Sequence, residues 1–129
     1  MAIRIVRFGI PKERGEGIRL GTVRHPPRGV RKENYAAEHW FDVWLPNLAP
    51  SAALVRSAHK IDDPRQWRRF AARYRSEMAR PEASRLLDAL AALSHDADFS
   101  IGCYCENEER CHRSVLRDIL AEHGAKLAP

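Results

Sequence analysis

The chain of 129 residues lacks the hallmarks of several protein classes. No segment approaches the ~20 apolar residues that a membrane-spanning helix needs, so we expect no membrane partner. The apolar run at the amino terminus contains Arg4 and Arg7, which do not suit the apolar region of a secretory signal. The sequence also has no repeat, low-complexity tract or linker. These absences predict a cytoplasmic protein with a single domain over residues 1–129.

Cysteine is scarce, and acidic residues are fewer than basic residues. The three cysteines make an odd count, and Cys103 and Cys105 are too close together to close a useful disulfide loop. This pattern predicts reduced thiols. The 22 lysines and arginines exceed the 17 acidic residues, which leaves a net charge of +5. That charge favours an anionic partner, either a small molecule or a nucleic acid. Oligomeric state has no signal in the sequence.

Residues 98–120 hold all three cysteines and predict a strand, a polar turn and a helix. Alternation along the strand places Cys103 and Cys105 on one face together with Phe99 and Ile101. Asn107 is predicted to cap the helix, whose apolar stripe docks it on a sheet. The turn then lies at the carboxyl end of a strand, where open α/β sheets bind ligands. This stretch is therefore the candidate functional site.

The rest of the chain predicts an α/β fold. Two more strands are expected over residues 2–8 and 18–23, and the loop between them is too short for a parallel crossover. They are therefore either antiparallel neighbours or parallel strands that are not adjacent. Helices are expected over residues 34–44, from a cap at Ser51, over residues 64–78 and from Pro81, the last with Leu86, Leu87, Leu90 and Leu93 facing inward. We predict a single layered domain with a small, mostly parallel sheet flanked by helices.

Anion binding is the first candidate function of this site. Free amides at a helix amino terminus attract negative charge, and guanidinium groups bind phosphate or carboxylate through paired hydrogen bonds. Arg113 lies in the first turn of the predicted helix, while Arg24 and Arg28 follow the second predicted strand. If both turns lie on the same edge of the sheet, these three arginines are the predicted binding residues.

Thiol catalysis and metal binding remain as alternatives. Cys105 or Cys111 is a candidate nucleophile, with Glu106 or His112 to exchange protons. Cys103, Cys105, Cys111 and His112 number four, as in structural zinc sites, but zinc motifs usually space paired cysteines by two residues or more. We therefore assign no metal ligands and no cofactor. Whether the protein is an enzyme, an interaction module or simply a packed basic domain stays open at this level.

Four segments resemble the domain of unknown function 488 family, in particular its YeaO-like branch. RHPPRGVRKE is similar to the family's arginine segment, DVWLPNLAPS and WRRFAARYRSEM to two helical signatures of the branch, and CYCENEERCHR to the Cys-Glu turn followed by Cys-His-Arg. The resemblance covers most of the chain and implies an α/β fold. One departure is Val23, where relatives usually carry an acidic residue. The family has no settled activity, so the resemblance implies no reaction.

Overall fold

The structure, a computed structural model, describes residues 1–129 and contains one sheet of four parallel strands. The strands are β1 (Ile3–Arg7), β2 (Ile18–Gly21), β3 (Val43–Trp44) and β4 (Phe99–Cys103). Their order is β1-β4-β2-β3, so the last strand in the chain lies between the first two. Ile101 of β4 aligns with Ile5 on one side and Leu20 on the other. The predicted α/β class is confirmed, and β1 and β2 are parallel but not adjacent.

Four α-helices follow from local signals in the sequence. They are α1 (Ala52–Ala58), α2 (Pro64–Met78), α3 (Pro81–Leu93) and α4 (His112–Glu122). Ser51 caps α1 and Asp63 caps α2, each by accepting a hydrogen bond from a backbone amide three residues later. None of the helices combines the length and the apolar character needed to cross a membrane.

The main core lies between one face of the sheet and all four helices. The strands contribute Ile3, Phe99 and Ile101, and burying these side chains together with the apolar stripes of the helices drives the packing. Its helical members are Leu54, Phe70, Tyr74, Met78, Ala83, Leu87, Leu90, Val115, Leu116, Ile119 and Leu120. The tyrosine hydroxyl donates a hydrogen bond of 2.6 Å to the carbonyl of Leu48, which satisfies its one buried polar atom.

The opposite face of the sheet is covered by loops instead of helices. Gly21 and Gly102 have no side chains, and this lets aromatic rings lie directly on the strands. A Cβ on Gly21 would fall 2.5 Å from the ring of Phe41, and one on Gly102 would fall 2.9 Å from Phe8. Phe8 and Phe41 form a second core cluster with Val23 and two of the cysteines. The loops are thereby fixed against the sheet edge that carries the candidate site.

Three local predictions were wrong. Residues 34–44 form no helix: a 3₁₀ turn (Lys32–Asn34) leads through further turns to β3, and the indole of Trp44 donates to the carbonyl of Val23. Leu93 is 54% exposed because α3 ends there. Asn107 caps a 3₁₀ turn (Glu108–Arg110), and Cys111 occupies the residue before α4.

Candidate functional site

The three cysteines converge at the carboxyl end of β4. Cys103 is the last residue of the strand, Cys105 follows in the loop, and Cys111 precedes α4. The Sγ atoms of Cys103 and Cys105 are 3.7 Å apart, and the ligand atoms of Cys103, Cys111 and His112 lie within 4.8 Å of one another. Cys103 and Cys111 are buried while Cys105 is exposed. The thiol cluster, as we call these three residues, therefore presents one sulfur to solvent and keeps two beneath it.

His112 lies beside the thiol cluster with its ring orientation fixed. Its Nε2 atom is 2.7 Å from the carbonyl oxygen of Thr22, and its Nδ1 atom is 3.7 Å from the Sγ of Cys111. A carbonyl oxygen can only accept, so Nε2 carries the proton and the neutral ring directs the Nδ1 lone pair toward sulfur. Burial lowers the pKa of His112 to about 4, which keeps the ring neutral at physiological pH.

The thiols of the cluster are not equivalent. Hydrogen bonds from Cys103 and then Cys111 lower the pKa of Cys105, and nearby His112 and Arg113 contribute in the same direction. Hydrogen bonds to Cys105 and Cys111, together with burial, raise the pKa of Cys103. The pKa of Cys111 is lowered by its bond with Cys103 but raised more by Cys105 and by burial. Negative charge in the cluster thus concentrates on the exposed sulfur.

Arg113 and Arg24 lie on the same side of the sheet as the thiol cluster, but neither guanidinium is free. Arg113 is 3% exposed and donates a hydrogen bond of 2.7 Å to the carbonyl of Cys105, while its Nε atom has no partner. Arg24 donates to the carbonyls of Pro46, Ala49 and Pro50. Arg24 thus holds the loop before α1 in place. Anion binding by these two arginines stays a prediction.

A cleft of about 670 Å³ lies at the same edge of the sheet. Arg7 at the end of β1 and Arg28 in the turn after β2 both line it, and both are exposed. Trp40 and Tyr104 supply aromatic surface, with ring centroids 5.6 Å apart in an edge-to-face arrangement. The remaining lining residues are Phe8, Gly9, Ile10, His25, Pro26 and Pro27. Of the three arginines predicted from sequence, Arg28 is the one that lines this cleft.

Arg7 connects the cleft to the thiol cluster. Its guanidinium donates to the carbonyl of Tyr104 at 3.4 Å and to the Glu106 carboxylate at 3.5 Å, the two residues that flank Cys105. Glu106 is 85% exposed at its side chain, so this ion pair is open to solvent and contributes little to stability. Sequence reasoning did not find Arg7, because its role depends on β4 lying beside β1.

A buried ion pair that contacts two of the loops around the cleft was also missed. Arg19 and Glu16 are 2% and 1% exposed and their closest N and O atoms are 2.5 Å apart. Arg19 also donates to the carbonyls of Ile10 and His39, which belong to two of the covering loops. The only sequence signal was the three-residue spacing of opposite charges, which is common on solvated surfaces. This pair positions the loops that bear the cleft residues Ile10 and Trp40.

Comparisons with known proteins confirm the family noted in the sequence but not its YeaO-like branch. No curated protein and no solved structure matches the chain. Residues 3–124 match the profile DUF488-N3a, described as the active DUF488-N3 subclade. The match includes every strand and helix described above and the whole thiol cluster. The chain therefore belongs to the domain of unknown function 488 family.

Proposed function

We propose that the protein binds an anionic, phosphate-bearing ligand in the cleft and that Cys105 acts on it as a nucleophile. The observation that carries this proposal is the position of Arg7, which lines the cleft and also contacts both residues next to the exposed thiol. Arg7 and Arg28 would bind the anion, because guanidinium groups form paired hydrogen bonds with phosphate oxygens. The aromatic surface of Trp40 and Tyr104 would take an apolar or planar part of the ligand.

The remaining predicted residues take supporting roles in this proposal. Cys111 and His112 are buried beside the thiol cluster, and the Nδ1 lone pair lies 3.7 Å from the Cys111 sulfur, so this pair would accept a proton from the cluster. Glu106 is exposed beside Cys105 and would exchange a proton with solvent. Arg113 holds the carbonyl of Cys105, so it would fix the direction of the thiol.

Alkylation with two reagents of opposite character tests the coupling between the cleft and the thiol. In each reaction the Cys105 thiolate forms a carbon–sulfur bond while iodide leaves with the electron pair of the broken carbon–iodine bond. Iodoacetate carries a negative charge and iodoacetamide does not. At low salt and with a chelator present, we expect Arg7→Gln and Arg28→Gln to lower the iodoacetate to iodoacetamide rate ratio about two- to fivefold, as expected for loss of one charge within several ångströms.

Two controls make this result specific. Arg85→Gln removes an exposed arginine of α3 that does not line the cleft, and its rate ratio should match that of the unmodified protein. Cys105→Ser should abolish the fast labelling, because Cys103 and Cys111 are buried. An unchanged ratio in both cleft variants would refute the coupling.

Calorimetry with inorganic phosphate, nucleotides and short oligonucleotides tests anion binding separately. The absence of binding heat from all of these ligands at low salt would refute anion binding.

A second candidate function, binding of nucleic acid without chemistry, is favoured by the solvent face of α2. Four exposed arginines lie on this face, at three- and four-residue spacings, and none of them has an acidic partner: Arg65, Arg68, Arg69 and Arg73. Such a face would contact the phosphate backbone. Oligonucleotide affinity should fall steeply with salt, and each arginine-to-glutamine change there should reduce the log–log slope by about 0.7 to 0.9. A slope that these changes leave unaltered would refute this candidate.

A further inference from the structure

The thiol cluster and His112 share the geometry of a metal site. Cys103, Cys111 and His112 each direct a ligand atom into one small buried volume, with these atoms within 4.8 Å of one another. Cys105 adds a fourth candidate atom, 3.7 Å from the Cys103 sulfur. Three cysteines and one histidine form a common ligand set for zinc, and these are the soft ligands that zinc and copper(I) prefer.

Two of the separations match the edges of a zinc tetrahedron. Zinc–sulfur bonds of about 2.3 Å and zinc–nitrogen bonds of about 2.0 to 2.1 Å place two sulfurs about 3.8 Å apart and a sulfur and a nitrogen about 3.6 Å apart. The Cys103–Cys105 distance is 3.7 Å, and the distance from the Cys111 sulfur to His112 Nδ1 is also 3.7 Å. The ligand atoms of Cys103, Cys111 and His112 lie within 4.8 Å of one another, so these three side chains need only small movements to bind one ion. The exposed Cys105 side chain would turn inward to complete the set.

The surroundings supply what a bound metal needs beyond its ligands. A metal-binding histidine usually donates its second ring N–H to a carbonyl or carboxylate, and here His112 Nε2 donates to Thr22 while Nδ1 faces the sulfurs. Three thiolates and a neutral histidine around a divalent ion leave a net charge of −1. Arg113 is buried next to this ligand set, and its positive charge would offset the net negative charge of the site. Its Nε atom has no hydrogen-bond partner in the protein.

We propose that Cys103, Cys111 and His112 bind a zinc ion, with the exposed Cys105 as its fourth ligand. Binding releases the three thiol protons to solvent and leaves the metal in its +2 state. Two ligands come from β4 and the loop after it, and two come from the start of α4, so the ion would join the central strand to the last helix. The proposal goes beyond the proposed function, because it assigns a metal to the thiol cluster. In the metal-bound protein the His112 Nδ1 lone pair would hold the ion and would not accept a proton from Cys111.

Metal analysis and cobalt substitution test this site. Protein purified without chelators should contain one zinc per chain. Replacement by cobalt(II) should give the visible bands of tetrahedral cobalt and a charge-transfer band from thiolate. Cys105→Ser should weaken the charge-transfer band by roughly one third, because one of three thiolates is lost, and His112→Gln should lower zinc affinity at least about tenfold, since even changes outside the ligand shell cost that much.

The matched control is His25→Gln, which changes an exposed histidine of the cleft and should leave zinc affinity unchanged. Competition with a coloured zinc chelator measures affinity on folded protein, and far-ultraviolet circular dichroism identifies any variant that does not fold. Millimolar zinc affinity in the unmodified protein, or a cobalt spectrum without a thiolate band, would overturn the proposal. The alkylation ratios above are measured with chelator present, so they can fail while zinc binds, and zinc binding can fail while they hold.

Discussion

Replacing Glu16 by glutamine tests how strongly the buried ion pair holds the loops around the cleft. Glu16 accepts two hydrogen bonds from the Arg19 guanidinium, one from the hydroxyl of Ser100 and one from the backbone amide of Glu13. Glutamine keeps the size of the side chain but removes its charge, which leaves the buried Arg19 cation without its paired carboxylate. Breaking a buried ion pair by removing one partner costs about 3 to 5 kcal/mol. Arg19 keeps its two carbonyl acceptors, so we expect a value near the lower end, about 3 kcal/mol.

This loss is large for a chain of 129 residues, whose free energy of unfolding should be about 6 to 19 kcal/mol at ordinary values per residue. With a urea dependence of about 2 kcal/mol per molar, the unfolding midpoint should fall by about 1.5 M. Circular dichroism in a urea titration measures it. Glu13→Gln is the matched control, because Glu13 pairs with Arg4 but is 75% exposed and its loss should cost less than about 1 kcal/mol.

The effect of Glu16→Gln should depend on pH in one direction. Burial raises the pKa of Glu16, but hydrogen bonds from Arg19 and Ser100 lower it more, so the pKa lies below its ordinary value of 4.5. A group whose pKa is lowered by folding stabilises the protein fully above its unfolded pKa and loses that contribution as pH falls through the folded value. The difference between the two proteins should thus be largest near pH 7 and shrink below pH 4.5. A difference that is equal at pH 7 and pH 3, or a midpoint shift no larger than that of Glu13→Gln, would refute this reasoning.

Three further changes should also alter stability in measurable ways. Gly102→Ala would place a Cβ 2.4 Å from the carbonyl oxygen of Val6 in the neighbouring strand, so we expect a loss of about 3 kcal/mol or more by thermal unfolding. Asp63→Ala removes the cap of α2 and should cost about 1 kcal/mol in the same assay, with Asp62→Ala as a neighbouring control that leaves the cap intact. Arg24→Gln leaves loop carbonyls with weaker partners, and amide hydrogen exchange after Pro46 should become faster if Arg24 holds that loop.

Sequence signals predicted best where the structure is decided locally. The helix α2 was expected over residues 64–78 because Asp63 and Pro64 mark its start and apolar residues recur at three- and four-residue steps, and the structure has it at Pro64–Met78. The false helix over residues 34–44 had similar spacing of aromatic residues. In that segment, long-range contacts determine the backbone conformation. Phe41 packs on Gly21, and the Trp44 indole donates a hydrogen bond to the carbonyl of Val23. A periodic pattern cannot reveal such contacts.

The candidate site was predictable in position but not in its detailed contacts. A strand, a turn and a helix around the cysteines indicated the edge of the sheet. Which arginine lines the cleft depends on side-chain direction, so Arg24 turns toward a loop while Arg7 points to the cleft. In the sequence, the spacing of Cys103 and Cys105 argued against a metal site. Spacing along the chain does not reveal that Cys111 and His112, at the start of the last helix, lie close to Cys103 in the fold.

The strand order explains how one edge of the sheet carries both the cleft and the thiol cluster. Because β4 pairs with β1 and β2 at once, three parallel strands end side by side, and the loops that follow them must share the same space. The β1 end supplies Arg7, the β2 end supplies the Thr22 carbonyl and Arg28, and the β4 end supplies two thiols. If β4 lay at the edge of the sheet, β1 and β2 could not both flank the cysteines. The arrangement of this candidate site therefore depends on the last strand being inserted between the first two.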